Sequence, residues 1–146
     1  MNTKEICEIL DKTNDVEVIR DLTEQITLDF IYGEDIILSL VSKFNDENVA
    51  IRDAVSRALS EVPAHLIPFA SKIIAPFIVP DDIEVRNLAG DVLAKYDTTA
   101  CPNLYEYLSS SDRDVRKFAC DIIGLIGDQS SAEYVYQLLN DTDPNC

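Results

Sequence analysis

The chain has 146 residues, of which 47% are hydrophobic, so it is long enough for one domain that buries its own core without disulfides or metals. Its 27 acidic and 12 basic residues give a formal net charge of −15 at pH 7. No cluster of Lys or Arg forms the basic stripe that follows a phosphate backbone, so nucleic acid is not an expected partner.

The cysteines and the N-terminal sequence bear on cofactors and on the compartment. The chain contains Cys7, Cys101, Cys120 and Cys146. No pair shows CxxC spacing, so neither a zinc site nor a redox motif is predicted, and no cofactor is expected. The opening run MNTKEICEIL has acidic residues within its apolar part, unlike a signal peptide, and no apolar run approaches a membrane span. These features predict a cytoplasmic protein that does not bind membranes.

In chain order, residues 3–12 are predicted to form a short amphipathic helix that caps the first repeat. An aliphatic residue followed by Arg then recurs four times, at Ile19–Arg20, Ile51–Arg52, Val85–Arg86 and Val115–Arg116. The steps between the arginines are 32, 34 and 30 residues. A period of this length indicates stacked helical units, each too small to bury its apolar face alone.

Apolar residues follow each Arg at helical spacing, with Thr23 and Thr27 of the first copy as the exceptions. Second apolar runs lie at 34–45, 64–78, 99–109 and 130–140, and each is predicted to be the outer helix of a helical hairpin. Pro68 and Pro76 interrupt the second run. That helix should therefore start near Pro68 or kink there, and should stop before Pro76 or Pro80.

The fourth copy resembles a known family. The pattern DxxVRxxAxxxxGxIGDxxxA is filled by Asp112, Val115, Arg116, Ala119, Gly124, Ile126, Gly127, Asp128 and Ala132. It is similar to the HEAT-like repeats first named for phycobilisome lyases. The resemblance implies an all-α fold, a right-handed α-solenoid of about four helical hairpins in one domain, 1–146. Its parts are a degenerate N-terminal cap (1–32), repeats at 33–63, 64–97 and 98–128, and a partial C-terminal repeat (129–146).

The resemblance also implies a structural role for the recurring charged residues. Along the stack, Arg and Asp of successive repeats would form a ladder of Arg52, Asp82, Arg86, Asp112 and Arg116. An anion site is the alternative reading of the same residues. The chain ends within a further copy of the motif, where Asp143 takes the place of Asp112. An apolar end face and end-to-end self-association are therefore expected.

Residues with catalytic potential are few. His65 is the only histidine, which argues against multi-histidine metal sites and against most triads. No glycine-rich phosphate loop is present, and the acidic residues near the C-terminus lack the Gly and Glu that a calcium loop requires. Asp81 and Asp82 lie at a helix start, where carboxylates cap amides. The chain is therefore predicted not to be an enzyme and to bind no metal.

A surface is the remaining candidate for function. The positions one and five residues past each Arg should face away from the neighbouring helices, and with nearby carboxylates they form a discontinuous acidic stripe. The predicted partner-binding residues are Asp21, Glu24, Asp53, Arg57, Glu61, Asp91 and Asp121. The stripe predicts an acidic inhibitor or adaptor that binds a basic protein, for example an immunity protein that neutralises a nuclease toxin. The alternatives are a merely solvated face, and a scaffold or lyase-associated subunit that binds a cofactor-bearing protein.

Overall fold

The computed structural model describes residues 2–127, and the regular secondary structure in this range is helical, without a strand. The α-helices are α1 (Thr3–Lys12), α2 (Val16–Leu28), α3 (Glu34–Val41), α4 (Val49–Ser60), α5 (Ile67–Ile74), α6 (Ile83–Lys95) and α7 (Arg113–Ile126). Helices α2, α4, α6 and α7 are the four inner helices that the Arg period predicts. The predicted all-α fold class is confirmed.

Each inner helix begins at a side-chain cap. Asp15, Asn48, Asp82 and Asp112 are the capping residues, and each accepts a hydrogen bond from a backbone N–H of the first turn. The Asp82 carboxylate, for instance, accepts from the amides of Glu84 at 3.1 Å and Val85 at 3.3 Å. Because the first amides of a helix have no partner within it, such caps fix where the helix starts.

Two helix ends use the left-handed backbone region. Gly127, at φ 72°, ends α7, and glycine is the residue that adopts this conformation most easily. After α2 the same region is occupied by Phe30, at φ 52°, and the amide of Ile31 donates to the carbonyl of Ile26 at 3.0 Å. This bond closes a Schellman motif, in which glycine is the usual residue at the position of Phe30. The Phe30 side chain is 76% exposed.

The outer helices depart from the prediction. The run at 99–109 forms two 3₁₀ helices, Asp97–Asn103 and Tyr105–Ser109, and no α-helix. Pro102 lies inside the first of them and has no N–H to donate, which disfavours an α-helical ladder there. Helix α3 ends at Val41, short of residue 45. Helix α5 starts beside Pro68 and ends before Pro76, as predicted. The run at 130–140 lies outside the described residues.

The chain divides into two compact units with the boundary between Ile73 and Ile74, inside α5. In the first unit α2 packs against α4, and α3 contacts α1 and α4. The core side chains of α2 and α4 are Ile19, Ile26, Ile51, Val55 and Leu59. In the second unit α6 packs against α7, and a Cβ added at Gly90 would lie 3.4 Å from the side chains of Ile122 and Phe118. The predicted single domain with its repeat boundaries stays a prediction.

Candidate functional site

An open groove of about 790 Å³ runs between α2 and α4 in the first unit. Its lining residues are Arg20, Thr23, Glu24, Thr27, Leu28, Val49, Ala50, Asp53, Ala54, Arg57, Ala58 and Glu61. The spacing is helical on both sides, so one face of each helix forms one wall. The structure thereby brings together Glu24, Asp53, Arg57 and Glu61, four of the predicted partner-binding residues.

The two helices that form the walls of the groove, α2 and α4, run in the same direction. Tyr32, shortly after the end of α2, donates a hydrogen bond from its hydroxyl to the carbonyl of Ala58 at 2.6 Å. The same hydroxyl lies 3.4 Å from the Thr27 hydroxyl. Because Thr27 and Ala58 belong to the last turns of α2 and α4, the C-terminal ends of the two helices meet at Tyr32. Helices α2 and α4 are therefore parallel.

The charged side chains of the groove are mostly unpaired. Arg20 forms an ion pair with Glu17 at 3.2 Å, and both side chains are exposed. Within residues 2–127, no hydrogen bond or ion pair engages the side chains of Glu24, Asp53, Arg57 or Glu61. Unpaired charges on an open surface remain available to a partner.

The position of two carboxylates opposes the helix dipoles. Asp29 and Glu61 are the C-cap residues of α2 and α4. The C-terminal end of a helix has partial negative charge, so a carboxylate there is unfavourable and a cation is favoured. A bound cationic group would relieve this repulsion at the C-terminal end of the groove.

Two exposed aliphatic side chains also line the groove. Leu28 at the end of α2 is 69% exposed, and Val49 at the start of α4 is 53% exposed. Because α2 and α4 are parallel, Val49 lies at the N-terminal end of the groove and Leu28 at its C-terminal end, and each offers an aliphatic contact to a partner. Neither residue was predicted from the sequence, although Leu28 lies four residues past Glu24 and so shares its face of α2.

In the second unit, two repeated arginines contact the main chain ahead of their own helix. Buried Arg86 of α6 donates from Nη2 to the Val79 carbonyl at 2.8 Å and from Nε to the Pro80 carbonyl, and its Nη2 lies 3.5 Å from a carboxylate oxygen of Asp81. Arg116 of α7 donates to the carbonyl of Ser110 at 2.8 Å. Each guanidinium thus donates a hydrogen bond to the carbonyl of the residue six positions before it.

Residues 71–145 match the family described as HEAT repeats. This match spans just over half of the chain. The chain belongs to the HEAT-repeat family. A crystal structure of an engineered protein, a structural genomics target, is similar with 18% identity and a TM-score of 0.46, over 99% of this chain and 75% of that chain. No curated protein sequence matches.

HEAT repeats are a protein-interaction and scaffold architecture, and proteins built from them are generally non-catalytic. The match is to HEAT repeats as a class, and the phycobilisome-lyase subtype stays a prediction. Within the described range 2–127, no group of three or more His, Cys, Asp or Glu side chains could hold a metal ion. Over the same range no helix is long and apolar enough to cross a bilayer.

The groove between α2 and α4 includes only part of the predicted site. Asp21 is exposed on α2 but does not line the groove, and Asp91 and Asp121 are exposed on α6 and α7 of the second unit. The role of these three residues stays a prediction. Asp82 and Asp112, predicted as ladder residues, cap α6 and α7. The ladder along successive HEAT repeats stays a prediction as well.

Tyr32 contacts both α2 and α4, and its surroundings shift the pKa of its hydroxyl. Burial raises the pKa of the Tyr32 hydroxyl, and the nearby negative charge of Glu61 raises it further, against the opposing effect of the Thr27 hydrogen bond. The raised pKa extends to higher pH the range in which the phenol is neutral and donates to the Ala58 carbonyl.

Tyr32→Phe should lower the free energy of unfolding by about 1 kcal/mol at neutral pH, because one hydrogen bond to a main-chain carbonyl is lost. It should also change how the free energy of unfolding falls at alkaline pH. The folded-state pKa of Tyr32 is raised above its unfolded value, so its contribution is complete below that unfolded value, about pH 10, and is lost as pH rises through the folded pKa. Denaturant unfolding from about pH 8 to 11 should show a shallower alkaline decline for Tyr32→Phe than for the wild type. An identical decline would contradict the assignment.

Proposed function

We propose that this HEAT-repeat chain is a non-enzymatic protein-binding module whose α2/α4 groove receives a basic protein partner. The observation that supports the proposal most is the groove itself, where four unpaired charged side chains lie beside exposed Leu28 and Val49. Protein interfaces combine apolar contacts with charged and polar ones, and the groove offers both.

Electrostatics favours a basic partner. The whole chain has a net charge of −15, which attracts a basic protein over distance and speeds encounter at low salt. Within the groove, Glu24, Asp53 and Glu61 outnumber Arg20 and Arg57, and Arg20 is already paired with Glu17. The carboxylates at the C-terminal ends of α2 and α4 add to the preference for cationic groups.

The more specific form of this proposal is an inhibitor, such as an immunity protein that covers the basic surface of a nuclease toxin. High acidity and a groove of opposite charge suit that task, because a nuclease must present a basic surface to its substrate. A general adaptor uses the same groove without blocking an active site. Titration of the chain into a nuclease assay of the purified partner separates the two, since only the inhibitor lowers the cleavage rate.

The proposal is tested by reversing charge in the groove. The partner is cross-linked in the source cells, identified and purified, and its affinity for the chain is measured at two salt concentrations, about 0.05 and 0.3 M. Asp53→Lys combined with Glu61→Lys should weaken binding by about 10- to 100-fold at the lower salt, with a smaller effect at the higher salt because ions screen the charges.

The matched control places the same charge change on a helix outside the groove. Glu8→Lys combined with Asp11→Lys alters two exposed carboxylates of α1. This control should weaken binding by less than about threefold, through the long-range field alone. Equal losses in the two double variants, or an acidic partner, would refute the groove as the binding site for a basic protein.

A further inference from the structure

From the charge order along α4 we infer the chemistry of the partner segment, resting on the proposed function of the groove. The segment is an amphipathic helix with the pattern Lys/Arg–xxx–Asp/Glu–xxx–Lys/Arg. Its two cations face Asp53 and Glu61, and its central carboxylate faces Arg57. A partner that is only basic does not satisfy this order.

The order follows from the register of α4. Asp53, Arg57 and Glu61 are spaced by four residues and all three line the groove. A helix rises about 1.5 Å per residue, so the three charged groups form a row with steps of about 6 Å. The signs along the row are negative, positive, negative. A partner helix places residues four apart at the same step, so a row of opposite signs on its surface matches the row on α4.

The side chains of Asp53, Arg57 and Glu61 are available to a partner because they do not pair with one another. Oppositely charged residues four apart on a helix commonly pair with each other. Here, within the part of the chain that the structure describes, no ion pair or hydrogen bond joins Arg57 to Asp53 or to Glu61. All five N–H donors of the Arg57 guanidinium are therefore available to a carboxylate from outside.

A helical segment fits better than an extended one. The walls of the groove are α-helices, whose internal turns already pair their own backbone groups. An extended peptide laid on them would gain no main-chain ladder and would bury its own N–H and C=O groups without partners. A helix satisfies its backbone internally and offers an apolar stripe to Leu28 and Val49.

Arg57 gives the groove selectivity against purely basic partners. With a cation opposite Arg57, a partner would bring like charges together, which costs affinity, whereas a carboxylate there forms a charge-assisted pair. A repulsive element of this kind is how an acidic protein avoids binding every basic helix that its net charge attracts.

The experiment uses two synthetic helical peptides that share the same Leu face and differ at one position. The first has Lys–xxx–Glu–xxx–Lys, and the second has Lys in place of the central Glu. Affinities for the full chain are measured by fluorescence anisotropy at low salt. The Glu-centred peptide should bind the wild type at least about fivefold more tightly, although it has less positive charge. The reason is that a close ion pair between its central Glu and Arg57 contributes more than a fivefold gain in affinity.

The decisive variant is Arg57→Glu, which should reverse the order so that the Lys-centred peptide binds more tightly. Arg57 is exposed, and an unchanged circular dichroism spectrum confirms that the variant folds. If the Lys-centred peptide binds the wild type more tightly, or Arg57→Glu leaves the order unchanged, the inferred charge order is wrong.

The proposed function still stands in that case provided Asp53→Lys with Glu61→Lys abolishes peptide binding. If neither peptide binds, or the double variant binds both normally, the inferred partner segment is wrong, and the proposed function is then decided by the charge-reversal test with the purified partner.

Discussion

Arg86→Ala is expected to lower the free energy of unfolding by about 2–4 kcal/mol. The guanidinium is buried and donates to the carbonyls of Val79 and Pro80, so truncation removes two charge-assisted hydrogen bonds together with the packing of the alkyl stem. The exposed Asp81 carboxylate adds little, since ion pairs at the surface are weak. Arg86→Lys should fall in between, because an ammonium keeps the charge but lacks the planar fork that reaches two carbonyls.

The matched control is Arg20→Ala at the same register position in the first inner helix. The Arg20 side chain is 54% exposed, and its one ion pair within residues 2–127 is with Glu17, one turn away. Its removal should cost less than about 0.5 kcal/mol. Amide hydrogen exchange measured helix by helix provides the readout, with faster exchange expected in α6 for Arg86→Ala. A similar small cost for the two alanine variants would show that the turn before α6 does not depend on Arg86.

The comparison of these two arginines shows what the repeat pattern could and could not predict. The period correctly located the inner helices, because apolar columns at helical spacing must face a core. It did not predict the contacts of each Arg, since the same residue is buried at position 86 and exposed at position 20. The difference depends on the turn ahead of each helix, where main-chain carbonyls at Val79 and Pro80 face Arg86. The direction in which a main-chain carbonyl points cannot be read from the residue types.

The two polar exceptions in the apolar columns also have a structural explanation. Thr23 is 6% exposed, and its hydroxyl donates to the carbonyl of Arg20 at 3.0 Å. The Thr27 hydroxyl donates to the carbonyl of Thr23 at 3.0 Å. Because a threonine can return its hydroxyl to the preceding helical turn, it can occupy a core column without an unpaired polar group.

The candidate site was predictable where it depends on register alone. Asp53, Arg57 and Glu61 lie on one face of α4, so their spacing is enough to place them together. Leu28 and Val49 were not predictable, because an aliphatic residue at a helix end is covered or exposed according to whether another segment packs over it. The 3₁₀ helices of the outer run escaped prediction for a related reason. Apolar content does not distinguish an i→i+3 ladder from an i→i+4 one.

Phe30→Gly is expected to raise the free energy of unfolding while it weakens partner binding. Phe30 has φ 52°, a conformation that costs a side-chain-bearing residue about 1–2 kcal/mol and costs glycine almost nothing. After the greater chain entropy of glycine in the unfolded state is subtracted, about 0.5–1 kcal/mol of stabilisation should remain. The ring is 76% exposed, so its removal sacrifices little core packing.

Phe30 lies two residues beyond Leu28, which lines the groove, so a partner seated in the proposed groove would also cover the exposed ring, and we expect binding to weaken by about 3- to 10-fold. Asp97→Gly is the matched control, because Asp97 also has a positive φ, of 60°, but lies in the second unit. It should leave affinity unchanged and stabilise less, since Asp tolerates the left-handed region better than Phe. Thermal unfolding and the affinity measurement on the same samples provide the test. Unchanged affinity in Phe30→Gly would show that Phe30 lies outside the binding surface.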